Sequence, residues 1–186
     1  TLNLRLHSSD LTYIANHAED SVIFADRSLL PILQQFLPDA KSVRHVVVIP
    51  DDDGPLPDGM LEYESLLAAE STEIAWPDVP ERAAAAMCYT SGTTGHPKGV
   101  LYSHRSNVLH SMAACLPDAI GIGQSDCLLA VVPMFHANAW GLPYAAALAG
   151  AALVFPGPHL DAESVLALLA EEQVTMTAGV PTVWLG

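Results

Sequence analysis

Eleven residues, Tyr89-Thr90-Ser91-Gly92-Thr93-Thr94-Gly95-His96-Pro97-Lys98-Gly99, constrain this chain more than any other stretch. Four serine and threonine side chains (Thr90, Ser91, Thr93, Thr94) and three glycines (Gly92, Gly95, Gly99) surround one lysine, Lys98. The apolar residues 83–88 before the run and 100–102 after it predict two strands with a loop between them. Such a loop suits a polyphosphate. Glycine lets backbone N–H groups come close to phosphate oxygens and visit positive φ. Serine and threonine hydroxyls donate further hydrogen bonds, and Lys98 adds a point charge. The run is not a Walker A loop, which needs Gly-Lys-Ser/Thr at its end; here Lys98 lies between Pro97 and Gly99. The plain alternative for shorter runs of this composition is a polar surface hairpin.

Charge makes Lys98 more informative. The formal net charge is −14, from seven Lys and Arg against 21 Asp and Glu. That balance disfavours nucleic acid and anionic membranes as partners. Lys98 is one of two lysines, the other being Lys41. Of the 186 residues, 51% are apolar, which fits a globular domain with a substantial core. Cys88, Cys115 and Cys127 have no metal-ligand spacing, and no metal ligand set is expected. Without a secretory signal they read as reduced thiols of a cytoplasmic protein. The apolar stretch 137–155 is interrupted by Asn138, Gly141, Pro143 and Gly150, so no transmembrane segment is expected. The chain opens on Thr1, and Pro181 begins a further helix near its end, so it is expected to be cut from something longer.

Ser8, Ser9 and Asp10 offer an N-cap to a helix carrying Leu11, Ile14, Ala15 and Ala18 on one face. Strands are expected at 22–25, 45–49, 126–132, 151–155 and 174–178. Helices are expected at 29–37, 63–69, from Ser103 or His104 to about Cys115, at 138–148 and at 162–172. Residues 51–59 read as a loop and 71–81 as a connector. The β-branched run at 45–49 resembles the buried strands of parallel sheets. This alternation predicts an α/β fold with mainly parallel strands.

Thr90 to Gly99 resembles the signature Thr-Ser-Gly-Thr-Thr-Gly-x-Pro-Lys-Gly of the adenylate-forming superfamily: acyl-CoA synthetases, luciferases and the adenylation domains of peptide synthetases. Nine fixed identities over ten positions make the match specific. A second segment, Pro133-Met134-Phe135-His136-Ala137-Asn138-Ala139-Trp140-Gly141, follows the strand at 126–132. Ligands of open α/β sheets bind at the carboxyl ends of strands. Taken alone, His136 reads as a helix cap, while for Trp140 core and channel readings are close. The superfamily, however, carries a Pro-x-Phe-His segment at this place, lining the acyl and adenylate pocket. Asn3 to Leu6 with the following helix, Gly157-Pro158 with Leu160-Asp161, and Thr177 to Trp184 resemble medium- and long-chain acyl-CoA synthetases. The likeness spans nearly the whole chain.

The resemblance implies that residues 1–186 are part of the large N-terminal, AMP-binding domain. The rest of that domain and the small C-terminal domain would lie outside the chain. It implies ATP-dependent activation of a carboxylic acid, fatty by preference, to an acyl-adenylate, then transfer to CoA. Thr90, Ser91, Gly92, Thr93, Thr94, Gly95, Lys98 and Gly99 would hold the ATP phosphates, and Mg²⁺ would bridge phosphate oxygens. His136 would act as the catalytic residue near the carboxylate. Phe135, Trp140 and Gly141 would line or shape the acyl channel, with Trp140 four residues past His136, one helical turn on. The superfamily's Tyr-Gly-x-Thr-Glu run, its ribose-binding Asp and its C-terminal Lys are not in the chain, so the isolated piece is expected to be inactive. Two other readings stay open: an adenylation domain loading a carrier-protein thiol, and a non-catalytic nucleotide-binding role. Self-association into a homo-oligomer is left open as well.

Overall fold

The computed structural model describes residues 1–90 and 95–184, and for Thr182 and Val183 the backbone alone. Two compact units result. One is built from Leu2–Asp78 and the described end of the segment that closes at Gly99; the other is built from Val79–Thr90 and from Val100 onward.

In the first unit, α1 (Ser8–His17) buries Leu11, Ile14 and Ala15. Its N-cap is His7, not one of the serines: the Nδ1 of His7 accepts from the N–H of Ser9 at 3.3 Å. An imidazole nitrogen here does the work of the expected hydroxyl. Strand β1 (Val22–Asp26) pairs in parallel with β2 (His45–Ile49), and β2 with the two-residue β3 (Leu61–Glu62), which the sequence reading missed. The helix expected at 29–37 is broken. A 3₁₀ turn, Arg27–Leu29, leads into the short α2 (Leu30–Leu33), and a second 3₁₀ turn covers Leu37–Asp39. The α-helical bonding stops after Gln34: the N–H groups of Gln35 and Phe36 reach back three residues, to the carbonyls of Ile32 and Leu33, instead of four. Helix α3 (Tyr63–Ala68) starts at Glu62, whose carboxylate accepts from the N–H groups of Glu64 and Ser65. Leu11, Ile23, Phe36, Val46 and Val48 share the core of this unit.

Strands β4 (Ala84–Thr90) and β5 (Lys98–Ser103), the latter within the second unit from Val100 onward, form a two-stranded sheet. Helix α4 (His104–Ala114) begins where expected, because Ser103 accepts from the N–H of Ser106 at 3.1 Å. Ser103→Ala is expected to destabilise α4 by about 1 kcal/mol, read as a lower urea midpoint with an unchanged slope. Strand β6 (Cys127–Ala130) leads to α5 (Ala137–Trp140) and α6 (Leu142–Ala149), then β7 (Ala152–Val154), α7 (Ala162–Glu171), β8 (Met176–Ala178) and α8 (Pro181–Trp184). The sheet order is β7-β6-β8, with both pairings parallel.

Strand periodicity gives β6 two buried faces. Leu128 packs with Ala114 of α4 and with Leu142, Ala145 and Ala146 of α6. Its neighbour Leu129 points the other way, to Val165 of α7. Helices therefore cover both sides of a parallel sheet, as the alternating pattern predicts. Asp126 ties the start of β6 to β8. Its carboxylate accepts from the Gly123 N–H and the Thr175 hydroxyl, both at 2.8 Å. The Gly123 bond foremost, then the Thr175 bond, holds that carboxyl below the usual range. Among the described residues, no helix is long and apolar enough to cross a membrane.

Candidate functional site

Strands β4 and β5 flank the glycine-rich segment as the sequence predicts. Thr90 ends β4, and Lys98 and Gly99 open β5. Ser91, Gly92, Thr93 and Thr94 lie outside the described residues, so their expected roles have no geometry here. Gly95, Lys98 and Gly99 are exposed, while Pro97 between them is buried. His96 stacks on Tyr13 of α1, with ring centroids 4.4 Å apart and planes at 16°; Tyr13 in turn stacks on His17 at 5.2 Å. The returning end of the segment is thus anchored by a buried proline and an aromatic stack. The sequence reading assigned no role to Tyr13 or His96.

The second constellation departs most from expectation. A right-handed helix was expected from Asn138 onward. Instead Ala137, Asn138, Ala139 and Trp140 have φ of 46°, 53°, 53° and 55°, and Gly141 follows at 72°. Helix α5 is one turn of left-handed backbone, and the right-handed α6 starts after it. For most L-residues this conformation costs roughly 1–2 kcal/mol each, with asparagine less affected, so Ala137, Ala139 and Trp140 together bear several kcal/mol. The surroundings must supply that energy. Ala139 is fully buried and Asn138 nearly so. The Asn138 Oδ1 accepts from Cys88 Sγ at 3.2 Å, and the Gly141 N–H donates to the Asn138 carbonyl at 3.0 Å. His110 of α4 places Nε2 2.9 Å from the Trp140 carbonyl oxygen.

This turn sets the candidate side chains. His136 is exposed and holds the N-cap position of α5 without a capping bond from its side chain, so it is not a capping residue. Trp140 is 37% exposed, which rules out the core reading. It lines a cavity of about 250 Å³ together with Ile120, Leu128, Leu142, Met176, Thr177 and Ala178. The volume is near the lower end for ligand pockets, ~300 Å³. Phe135 and His136 are not among the lining residues, and neither is Gly141. The helical i, i+4 argument for pairing His136 with Trp140 therefore fails, because the turn between them has the opposite hand. Gly141 is required by backbone and space: a Cβ there would meet the His110 imidazole at 2.5 Å.

His110 and Cys88 are the members of this cluster that sequence reasoning passed over; Asn138 was named only as part of the pocket segment. Among the described residues, no group of three or more His, Cys, Asp and Glu could hold a metal ion. None of the described residues therefore forms a carboxylate set fitted to Mg²⁺.

The fold is the one found in adenylate-forming enzymes. A crystal structure of an anthranilate CoA ligase in complex with anthranoyl-AMP superposes with a TM-score of 0.86, covering 98% of this chain and 35% of that one. At 24% identity that likeness speaks for the fold alone. The chain belongs to the AMP-binding enzyme family, which matches it over residues 1–186. It is 52% identical to a long-chain-fatty-acid–CoA ligase of Thermus thermophilus and 47% identical to a medium-chain-fatty-acid–CoA ligase of Ectopseudomonas oleovorans. All of the chain is covered in both cases, and it spans 33% and 35% of those relatives, about a third of their length.

Proposed function

We propose that the full-length protein is an AMP-forming acyl-CoA synthetase, with residues 1–186 as part of its large N-terminal domain. A carboxylate oxygen attacks the α-phosphorus of ATP and pyrophosphate leaves. The thiol of CoA then attacks the acyl carbon and AMP leaves. ATP and CoA are the co-substrates, and the cytoplasm is the compartment that offers both. Mg²⁺ would accompany ATP on its phosphate oxygens and neutralise charge there.

The first step brings two anions together, so positioning and charge neutralisation carry the catalysis. Thr90, Ser91, Thr93, Thr94 and Lys98, with the N–H groups of Gly92, Gly95 and Gly99, bind the β- and γ-phosphates. His136, exposed and without a capping bond, meets the carboxylate. The observation that carries the acyl assignment is the apolar cavity of Leu128, Leu142, Met176 and Trp140, opening off the strained turn that follows His136. Backbone strain at one segment, retained against its cost, points to a functional constraint there. The names of the similar ligases, acting on medium- and long-chain fatty acids, support the same substrate class.

The test is a chain-length series of acids on two variants of the full-length protein, followed by acid-dependent pyrophosphate exchange. Trp140→Ala is expected to shift the preferred chain length while the ATP dependence with a good acid stays nearly constant. His136→Ala is expected to lower exchange for every acid alike. An equal loss across all chain lengths for Trp140→Ala removes it from the acyl pocket. A mere shift of preference for His136→Ala reverses the two roles.

A further inference from the structure

We infer that His110 is a positioning residue for the acyl pocket: it holds the left-handed turn in place and thereby fixes where Trp140 stands at the cavity. The inference rests on the acyl-CoA synthetase reading for its consequence, chain-length selection, and on geometry alone for the positioning itself.

Two contacts define the role. The His110 Nε2 lies 2.9 Å from the Trp140 carbonyl oxygen. A carbonyl carries no proton, so the ring nitrogen must be the donor. The same imidazole occupies the space beside Gly141, where a Cβ would come within 2.5 Å of Cδ2 and 2.7 Å of Nε2. His110 therefore grips the last residue of the strained turn and the glycine that ends it. The hydrogen bond is exposed, so it acts together with this close packing. The other end of the turn is held separately, by the Cys88–Asn138 contact.

The handedness explains why a grip is needed at this point. A backbone of L-residues tends to leave the left-handed region, and residues 137–139 include two alanines, among the strongest right-handed helix formers. If the turn relaxed, the Trp140 carbonyl would swing away and its indole would move with it. The wall that Trp140 contributes against Leu128, Leu142 and Met176 would be lost. Helix α4 gives His110 a rigid base, because Ala114, one turn further on, is locked in the core with Leu142 and Ala145 of α6. The residue that bonds the turn and the helix that follows the turn are thus fixed to each other.

The experiment uses the full-length protein with 5-fluorotryptophan, the Trp140 resonance being assigned from Trp140→Phe. His110→Ala is expected to shift and broaden that resonance. His110→Gln, whose amide N–H can reach the same carbonyl, is expected to restore it in large part. In the acid series, His110→Ala should raise the KM of the best acid about tenfold or more and flatten the chain-length profile, with the KM for ATP within twofold. Gly141→Ala should mimic His110→Ala, and the double variant should be no worse than the more affected single one, because removing the ring frees the space the new Cβ needs. A Trp140 resonance unmoved in His110→Ala overturns the positioning. So does a uniform loss for all acids that His110→Gln does not rescue. A wild-type protein without acid-dependent exchange, but with a Trp140 resonance that answers to His110, overturns the enzymatic reading and leaves the positioning standing.

Discussion

Lys98→Ala in the full-length protein is expected to lower the rate of acid-dependent pyrophosphate exchange at subsaturating ATP by roughly ten- to a hundredfold. One charge-assisted hydrogen bond to a phosphate is worth about 1.5–3 kcal/mol, and each 1.4 kcal/mol is a factor of ten. Lys98 is one of two lysines in a chain of net charge −14. It opens β5, next to buried Pro97, so the strand and the proline define the backbone from which its side chain reaches. The loss should appear in the KM for ATP and should be independent of acid chain length. Exchange with wild-type rate and ATP dependence in the variant would remove Lys98 from the nucleotide site.

Phe36→Ala is expected to be the most destabilising single truncation in the first unit, by about 3–5 kcal/mol. Phe36 is 1% exposed and packs in the core with Leu11, Leu33, Val46 and Val48. Domain stabilities are commonly 5–15 kcal/mol, so this loss is a large fraction of the whole. The check is urea unfolding followed by circular dichroism, where a midpoint within 0.2 M of wild type, as a rough bound on a negligible change, would mean that the ring's removal is absorbed by repacking.

The contrast between these residues shows what the sequence made legible. Lys98 announces itself through composition: a lone cation among glycines and hydroxyls, flanked by two apolar runs. The strands β1, β2 and β6 announce themselves through short apolar stretches, and α4 through Ser103. Those signals are local, and local physics decides them. The turn at 137–140 is different. Two alanines in a four-residue stretch ask for a right-handed helix, whereas the left-handed backbone seen there is bonded by partners distant in sequence, Cys88 and His110. Apolar periodicity does not carry that information. Gly141 and Asn138 were the local hints, since glycine tolerates positive φ beside a close neighbour and asparagine is enriched in the left-handed region. The same cause broke the i, i+4 argument that put His136 and Trp140 on one face. The helix expected at 29–37 stops at Leu33, where backbone bonds spanning four residues give way to bonds spanning three.

The left-handed turn also places the chain at odds with its own chirality. From Ala137 to Trp140 the backbone occupies the region that mirror-image residues prefer. At Ala139, which is fully buried, a D-alanine introduced by chemical ligation would have the torsions it favours, its methyl group leaving the backbone on the other side. The segment is therefore a stereochemical inversion written in ordinary amino acids. Its shape persists because the rest of the unit outvotes the local preference, and substitutions distant from it in sequence can return that vote.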